Sequence, residues 1–135
     1  MALIPSSILS KLYNRTSLRN SGDSVQFSVK NRLSPATLKR VTRVELNGQP
    51  VELARIEVQA EHGEPLTAAA IDGDNSLDFP LGAMLTFNLK IDPLDEGKHD
   101  VAVIFESHPF GELRLSVNDR LNTGQRDPAA LPRDP

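Results

Sequence analysis

Short segments in which apolar and polar residues alternate constrain the fold of this chain more than any other feature. Four of them stand out, at Ser24–Lys30, Met84–Ile91, Asp100–Glu106 and Glu112–Asn118. A pleated strand directs successive side chains to opposite faces, so each segment predicts a strand with one face in a core and one in solvent. Ten prolines punctuate the chain, which favours short strands over long helices.

A hairpin is predicted around Asn47-Gly48, which lies between Val41–Leu46 and Val51–Val58. Asn-Gly readily adopts the positive φ angles of a type I′ turn. Pro50 follows closely and has no N–H for a ladder hydrogen bond, so we expect a loose hairpin at a sheet edge. The apolar residues of the second segment change from odd to even positions at Ala54-Arg55, which indicates a bulge or a break in that strand.

The fold class that these signals predict is all-β, an antiparallel β-sandwich of about eight short strands over residues 1–121. Helix signals are confined to a turn or two in Glu64–Ile71, where Pro65 comes early and Gly73 follows. The polar, proline-rich tail, residues 122–135, has one sizeable apolar side chain, Leu131. We expect this tail to be disordered or to lie on a partner.

Composition excludes several classes of function. The 135 residues include no cysteine, and 15 Lys and Arg against 18 Asp and Glu give a net charge of −3. That balance argues against a nucleic-acid-binding protein, and the lack of cysteine against a thiolate nucleophile or a disulfide framework. No basic region precedes the first apolar residues, and the uncharged stretch Phe79–Leu89 is too short to cross a membrane. We therefore expect a soluble cytoplasmic protein that does not bind a membrane.

Residue types that carry chemistry are present without the spacing that catalysis or metal binding requires. His62 lies in a polar turn, His99 begins a strand after a charged turn, and His108 lies in a turn between two strands. Asp72–Asn75 is similar to the opening of a calcium loop, but it lacks the closing glutamate and the flanking helices of that motif. The sequence predicts no catalytic, cofactor-binding or metal-binding residues, and it favours a sandwich that binds another protein.

Three stretches resemble a known family. They are Ser17–Asn20 with Val25–Lys30, the hairpin Val44–Val51, and Leu94–Val103. Their pattern is similar to that of the small, or β, subunit of bacterial C-glycoside deglycosidases, and the order of elements fits from about residue 9 to residue 121.

The resemblance implies a role in a heteromeric carbon–carbon lyase of carbohydrate metabolism. Members of that family cleave the bond between the sugar and the aromatic aglycone of 3-oxo-C-glucosides, such as flavonoid C-glycosides, by an elimination. The resemblance implies a TIM-barrel α subunit as partner, which holds a divalent metal (Mn²⁺) and the acid and base groups. This chain would be the β-sandwich accessory subunit, inactive alone and without a metal ligand or catalytic base of its own.

Two other functions remain open from the residues. A carbohydrate-binding module would require exposed aromatic side chains, and the sequence offers Tyr13, Phe110 and Phe79. A self-assembling structural sandwich would require no ligand. Phe79, Phe110 and Ile104 are also the candidates for an apolar interface, with the core between two sheets as the equal alternative for each.

Overall fold

Two antiparallel sheets of five strands each form the fold, which confirms the predicted β-sandwich. The computed structural model describes residues 6–61, 63–72 and 74–122. The strands, in chain order, are β1 (Arg19–Ser21), β2 (Ser24–Lys30), β3 (Ala36–Leu46), β4 (Gln49–Pro50), β5 (Ile56–Ala60), β6 (Leu66–Thr67), β7 (Leu77–Phe79), β8 (Met84–Leu89), β9 (Lys98–His108) and β10 (Gly111–Arg120).

The two sheets differ in the length of their strands. Sheet A has the order β1-β2-β8-β5-β6, and sheet B has the order β10-β9-β3-β4, with β7 also paired to β3. The longest strands, β3, β9 and β10, are neighbours in sheet B, where β9 and β10 pair without interruption over ten residue pairs. One α-helix, α1 (Ser6–Leu9), precedes three 3₁₀ helices at Ser10–Leu12, Leu53–Arg55 and Ala68–Ala70.

Alternating side chains from both sheets meet in one apolar core. Phe27 of β2 and Phe87 of β8 stack at its centre, with ring centroids 5.0 Å apart and an interplanar angle of 7°. Val103 of β9 and Leu115 of β10 face them from sheet B and are each 1% exposed. All four lie in the predicted segments, so alternation identified the core-facing positions.

Strand β3 departs from alternation. Its buried residues Leu38, Val41 and Val44 are three positions apart, which is not a strand period. The pairing register with β9 shifts between Leu38 and Arg40 and again between Val41 and Arg43. Each shift adds a residue that the partner strand does not match, so successive apolar residues return to the inner face. The sequence therefore predicted only the second half of this strand.

The hairpin signals are confirmed. Asn47 and Gly48 have φ angles of 53° and 80°, and β4 is an exposed two-residue edge strand that contains Pro50. At Ala54-Arg55, where the apolar positions change, the chain forms a 3₁₀ turn, after which β5 begins. The helix predicted within Glu64–Ile71 is limited to the 3₁₀ turn at Ala68–Ala70, because Leu66 and Thr67 pair with β5.

Two predictions fall on residues that the structure does not describe. The tail from residue 123 onward lies outside the described residues, as does His62. Within the described ranges, no helix is long and apolar enough to cross a membrane.

Candidate functional site

The N-terminal segment of residues 6–18, here called the strap, closes one side of the sandwich. Its α1 helix lies against β10 of sheet B, and Tyr13 forms a β-bridge with Val29 of sheet A. The anchors of the strap are almost fully buried: Leu9, Leu12, Tyr13 and Leu18 are 0–6% exposed. The strap therefore spans the gap between the two sheets.

A buried carboxylate fastens the strap to sheet B. Asp119 lies near the end of β10 and is 4% exposed. Its Oδ2 accepts a hydrogen bond of 2.8 Å from the Tyr13 hydroxyl. The backbone N–H of Thr16, 3.1 Å from both carboxylate oxygens, and that of Leu18, 3.3 Å from Oδ2, also donate to it. These donors replace the hydration that the carboxylate loses on burial.

The Tyr13 hydroxyl is held in its neutral, donating form. Burial raises the pKa of Tyr13 above its ordinary value, and the hydrogen bond to Asp119 raises it further, while a hydrogen bond with Ser17 opposes them. A neutral phenol beside a carboxylate is the arrangement that a hydrogen bond requires, because the phenolate would repel Asp119. The pair is thus suited to holding two elements together.

A shallow groove lies at one end of sheet A. Its volume is about 460 Å³. Two of its lining residues are joined by a backbone hydrogen bond, from Lys90 N–H to the Arg55 carbonyl at 2.9 Å. The Arg55 guanidinium lies 3.4 Å from Glu52. The groove is lined by Asp23, Arg55, Lys90, Ile91, Asp92 and Pro93. Two acidic and two basic side chains offset each other there, so the groove favours neither anions nor cations.

Two small apolar voids lie between the sheets near the strap. Their volumes are about 20 Å³ and 10 Å³, and Leu12, Phe79 and Phe105 line both. A single water molecule needs roughly 10–15 Å³ and polar partners. The voids are therefore gaps in packing, too small for a substrate.

The candidate polar residues are not brought together. His99 Nδ1 is 2.9 Å from the side-chain amide of Asn47, and His99 Nε2 is 2.7 Å from the carbonyl of Asp95. Both ring nitrogens are therefore engaged by the protein's own polar groups. His108 is exposed at the end of β9. Across residues 6–61, 63–72 and 74–122, no three His, Asp or Glu side chains cluster closely enough to hold a metal ion.

The aspartate of the segment that is similar to the opening of a calcium loop forms a turn, as a calcium loop without its closing glutamate would suggest. Asp72 Oδ1 accepts hydrogen bonds from the backbone N–H groups of Asp74 and Asn75, at 2.9 Å and 3.1 Å. This is an Asx turn, in which the carboxylate satisfies its own backbone. These hydrogen bonds account for the presence of Asp72 without a bound ion.

The three interface candidates have different environments. Phe79 is 6% exposed in the core, Phe110 is half-buried, and Ile104 is 7% exposed on the outer face of sheet B. Ile104 is the cross-strand neighbour of Arg43 and Arg114, whose aliphatic stems are placed to cover it. Among the residues that the structure describes, the most exposed large apolar ones are instead Ile8, at 41%, and Leu81, at 58%.

The aromatic residues do not form a sugar-stacking row. Tyr13 and Phe79 are 3% and 6% exposed, so neither presents a ring face to solvent. Phe110 is half-buried in the turn after β9. The prediction of a carbohydrate-binding surface on these three residues is wrong, because two of them are in the core.

Comparison with known families gives one match. The family model described as "Hydroxymethylglutaryl-CoA reductase, N-terminal domain" matches residues 8–122. The match begins in α1 and ends two residues after β10, so it spans the strap and both sheets. Among curated proteins, no match was found.

This match corrects the predicted identity. The resemblance to the β subunit of C-glycoside deglycosidases is wrong, and so is the function in C-glycoside cleavage that followed from it. The stretches that carried it lie in the β1–β2 hairpin, in the β3–β4 hairpin and in the turn into β9. Antiparallel pairing imposes such patterns on many sandwiches, whatever their chemistry.

Two alternative functions, a partner, a metal ion and a location were also predicted from the sequence. The comparisons support neither alternative function, carbohydrate binding or a structural interaction module. A TIM-barrel partner, its Mn²⁺ ion and a cytoplasmic location stay predictions.

Proposed function

Because the chain belongs to the family of the hydroxymethylglutaryl-CoA reductase N-terminal domain, we propose that it is a non-catalytic domain that acts with a reductase of hydroxymethylglutaryl-CoA. The reductase catalytic unit is either joined to it in a longer chain or supplied as a separate protein. The observation that carries the proposal is the extent of the family match, residues 8–122. A match over the whole sandwich supports a shared domain, whereas a match to one hairpin would not.

The use of the buried polar groups supports a structural role within that assembly. Asp119 accepts its hydrogen bonds from the strap. Asn31, 3% exposed, donates to the carbonyls of Ser34 and Phe79 and accepts from the N–H groups of Leu33 and Ser34. Each side chain is engaged by its own fold, whereas a catalytic acid or base must face the reacting atoms.

The exposed apolar side chains offer points of contact with a catalytic unit. Ile8 lies on α1, and Leu81 lies in the turn between β7 and β8. Large apolar residues are enriched in the buried centres of protein interfaces. An aspartate at either position would therefore weaken an interface that used it.

Co-purification with a reductase catalytic unit tests the proposal. The full chain and the catalytic unit are expressed together and analysed by size-exclusion chromatography. The fractions are then supplied with hydroxymethylglutaryl-CoA and reduced nicotinamide cofactors, and the consumption of hydroxymethylglutaryl-CoA is measured by chromatography. We expect co-elution, no turnover by the chain alone, and higher activity or thermal stability of the catalytic unit when the chain is present.

Matched variants make the result specific. Leu81→Asp changes an exposed apolar residue, and Thr42→Asp changes an exposed polar position on sheet B. Loss of co-elution with Leu81→Asp alone would assign the contact. Turnover by the chain alone, or a catalytic unit that elutes separately with unchanged activity and stability, would contradict the proposal.

A further inference from the structure

The strap is attached to the two sheets in different ways. On the side of sheet A, Asn14 N–H donates to the Ser28 carbonyl at 3.0 Å, and Asn14 Nδ2 donates to Ser28 Oγ at 2.8 Å. Ser28 N–H donates to Ser17 Oγ at 3.1 Å. Through these bonds the strap lies alongside β2 as an additional short edge of sheet A.

On the side of sheet B, one carboxylate gathers most of the polar contacts. Asp119 accepts from Tyr13, Thr16 and Leu18. Beside it, Arg15 Nη1 donates to the Asn118 carbonyl at a long 3.3 Å. Directly after β10, Asn122 N–H donates to the Leu18 carbonyl at 2.7 Å, and Asn122 Nδ2 donates to the Thr16 carbonyl at 3.0 Å. The polar contacts on this side thus lie together at the end of β10, apart from the bonds of the strap to β2.

Backbone strain is concentrated at the same place. Thr16 has a φ angle of 67°, a left-handed conformation that is unfavourable for a β-branched residue. Its N–H is the group that donates to both oxygens of Asp119. The closed arrangement thus maintains a strained residue, and opening would relax it.

Packing beneath the strap is incomplete. Leu12 of the strap lines both apolar voids, together with Phe79 and Phe105. Side chains that border a void lose contacts on that side. The strap is therefore less strongly retained by its apolar anchors than their burial alone would indicate.

We propose that the contact between the strap and Asp119 is a latch that opens as a unit, so that the strap remains on sheet A, leaves β10 and uncovers the apolar side of the sandwich. In the closed state the strap covers this side with its buried residues Leu9, Leu12 and Tyr13. The opened state exposes Leu113 of β10, which is 7% exposed in the closed state and borders the same void as Leu12. This inference does not depend on the reductase proposal.

Native-state amide exchange in low urea, followed by NMR on the full chain, tests the latch. We expect the amides of Thr16 and Leu18 to share one opening reaction that depends on urea, because opening exposes apolar surface. That reaction should require less free energy than the opening of Val103 in β9. The amide of Asn14, bonded to sheet A, should remain more protected than those of Thr16 and Leu18.

Two variants are expected to change the population of the open state in opposite directions. Asp119→Asn places an amide among hydrogen-bond donors, and we expect the population of the open state to rise at least tenfold with Val103 unchanged. Thr16→Asn supplies a residue that tolerates positive φ, and we expect that population to fall several-fold. Glu112→Gln is the control, since Glu112 is an exposed carboxylate near the other end of β10 and should leave the latch unchanged.

In Asp119→Asn the amides of Thr16 and Leu18 lose their own acceptor, so a second readout should not depend on those amides. Tyr13 is the one tyrosine of a chain without tryptophan, so quenching of its fluorescence by acrylamide reports the exposure of the strap. We expect stronger quenching in Asp119→Asn, and also in the unmodified chain as urea is raised below the concentration of the global transition. The proposal is overturned if Thr16 and Leu18 exchange only with the global unfolding of Val103, or if their exchange does not depend on urea.

Discussion

The strap and the centre of sheet B are held to the rest of the molecule by different means. Strands β9 and β10 form ten consecutive residue pairs, and β3 and β9 pair along most of their length despite two register shifts. The hydrogen bonds of the strap to this side lie together at the end of β10, at Asn118 and Asp119, and at Asn122 just beyond it. Ladder bonding distributes the free energy of attachment along whole strands, whereas the hydrogen bonds of the strap are confined to one strand end.

The burial of a residue therefore does not by itself determine the free energy that is needed to expose it. Leu12 and Val103 are 4% and 1% exposed, and their burial is nearly equal. They differ in the number of independent backbone bonds that must break before each is exposed. Regions with few such bonds open at a lower free energy than the whole domain.

The largest expected effect is a loss of stability in the core between the two sheets. Phe87→Ala removes the ring that stacks on Phe27 at 5.0 Å and leaves a cavity between the sheets. We expect the free energy of unfolding to fall by about 3–5 kcal/mol, measured by urea denaturation. The strap and the sheets should then unfold in one transition. Phe110→Ala, at a half-buried position, is the control and should cost less.

A smaller loss is expected at the loop that links the two sheets. Asn31→Ala removes an amide that bonds to Ser34 and Phe79 at 2.8 Å and 2.7 Å and leaves buried backbone groups without partners. We expect the free energy of unfolding to fall by about 1–3 kcal/mol. Thermal unfolding followed by circular dichroism measures it, and an unchanged transition temperature would show that water replaces the amide.

Alkaline pH should act on the strap before the scaffold. The pKa of Tyr13 is raised on folding by burial and by Asp119, so its stabilising contribution is complete below the ordinary tyrosine pKa of about 10. It is lost as the pH rises from there through the folded-state pKa. Absorbance of tyrosinate reports Tyr13 alone, and urea midpoints should decline above about pH 10.

Tyr13→Phe is the matched control for the alkaline experiment. It keeps the ring against Phe27, 5.8 Å away between centroids, and it lacks the ionisable hydroxyl. Its urea midpoint should be lower near neutral pH and should decline less in alkali. An equal alkaline decline in both proteins would assign the effect to other groups.

The smallest effect is expected at a surface ion pair of sheet B. Arg40 Nε lies 3.6 Å from Glu106 Oε1, and both side chains are about half exposed, at 53% and 49%. Arg40→Ala should change the free energy of unfolding by less than about 1 kcal/mol, because solvent screens the pair. Urea denaturation at low and high salt measures this, and a larger loss that vanished in salt would reveal a stronger field on this face.

Alternation in the sequence predicted most of the scaffold. Strands β2, β8, β9 and β10 lie where the pattern placed them, because each keeps one face in the core. The first half of β3 was missed because its two register shifts change the apolar spacing to three residues. Periodicity cannot reveal a shift that only the partner strand defines.

The latch was partly visible in the sequence. Asp119 continues the inward series Leu113, Leu115 and Val117, so a charged residue at a core position signalled a buried carboxylate. Its partner Tyr13 is 106 residues away, and no local pattern links the two. The family was also missed, because the stretches that suggested another one are hairpins common to antiparallel sandwiches.

Hydrogen exchange of the full chain, recorded alone and with a saturating concentration of a reductase catalytic unit, decides whether the sandwich acts with that enzyme. We expect slower exchange over a contiguous surface of the sandwich in the presence of the catalytic unit, and no consumption of hydroxymethylglutaryl-CoA by the chain alone. Exchange profiles that superimpose with and without the catalytic unit would contradict a role in the reductase.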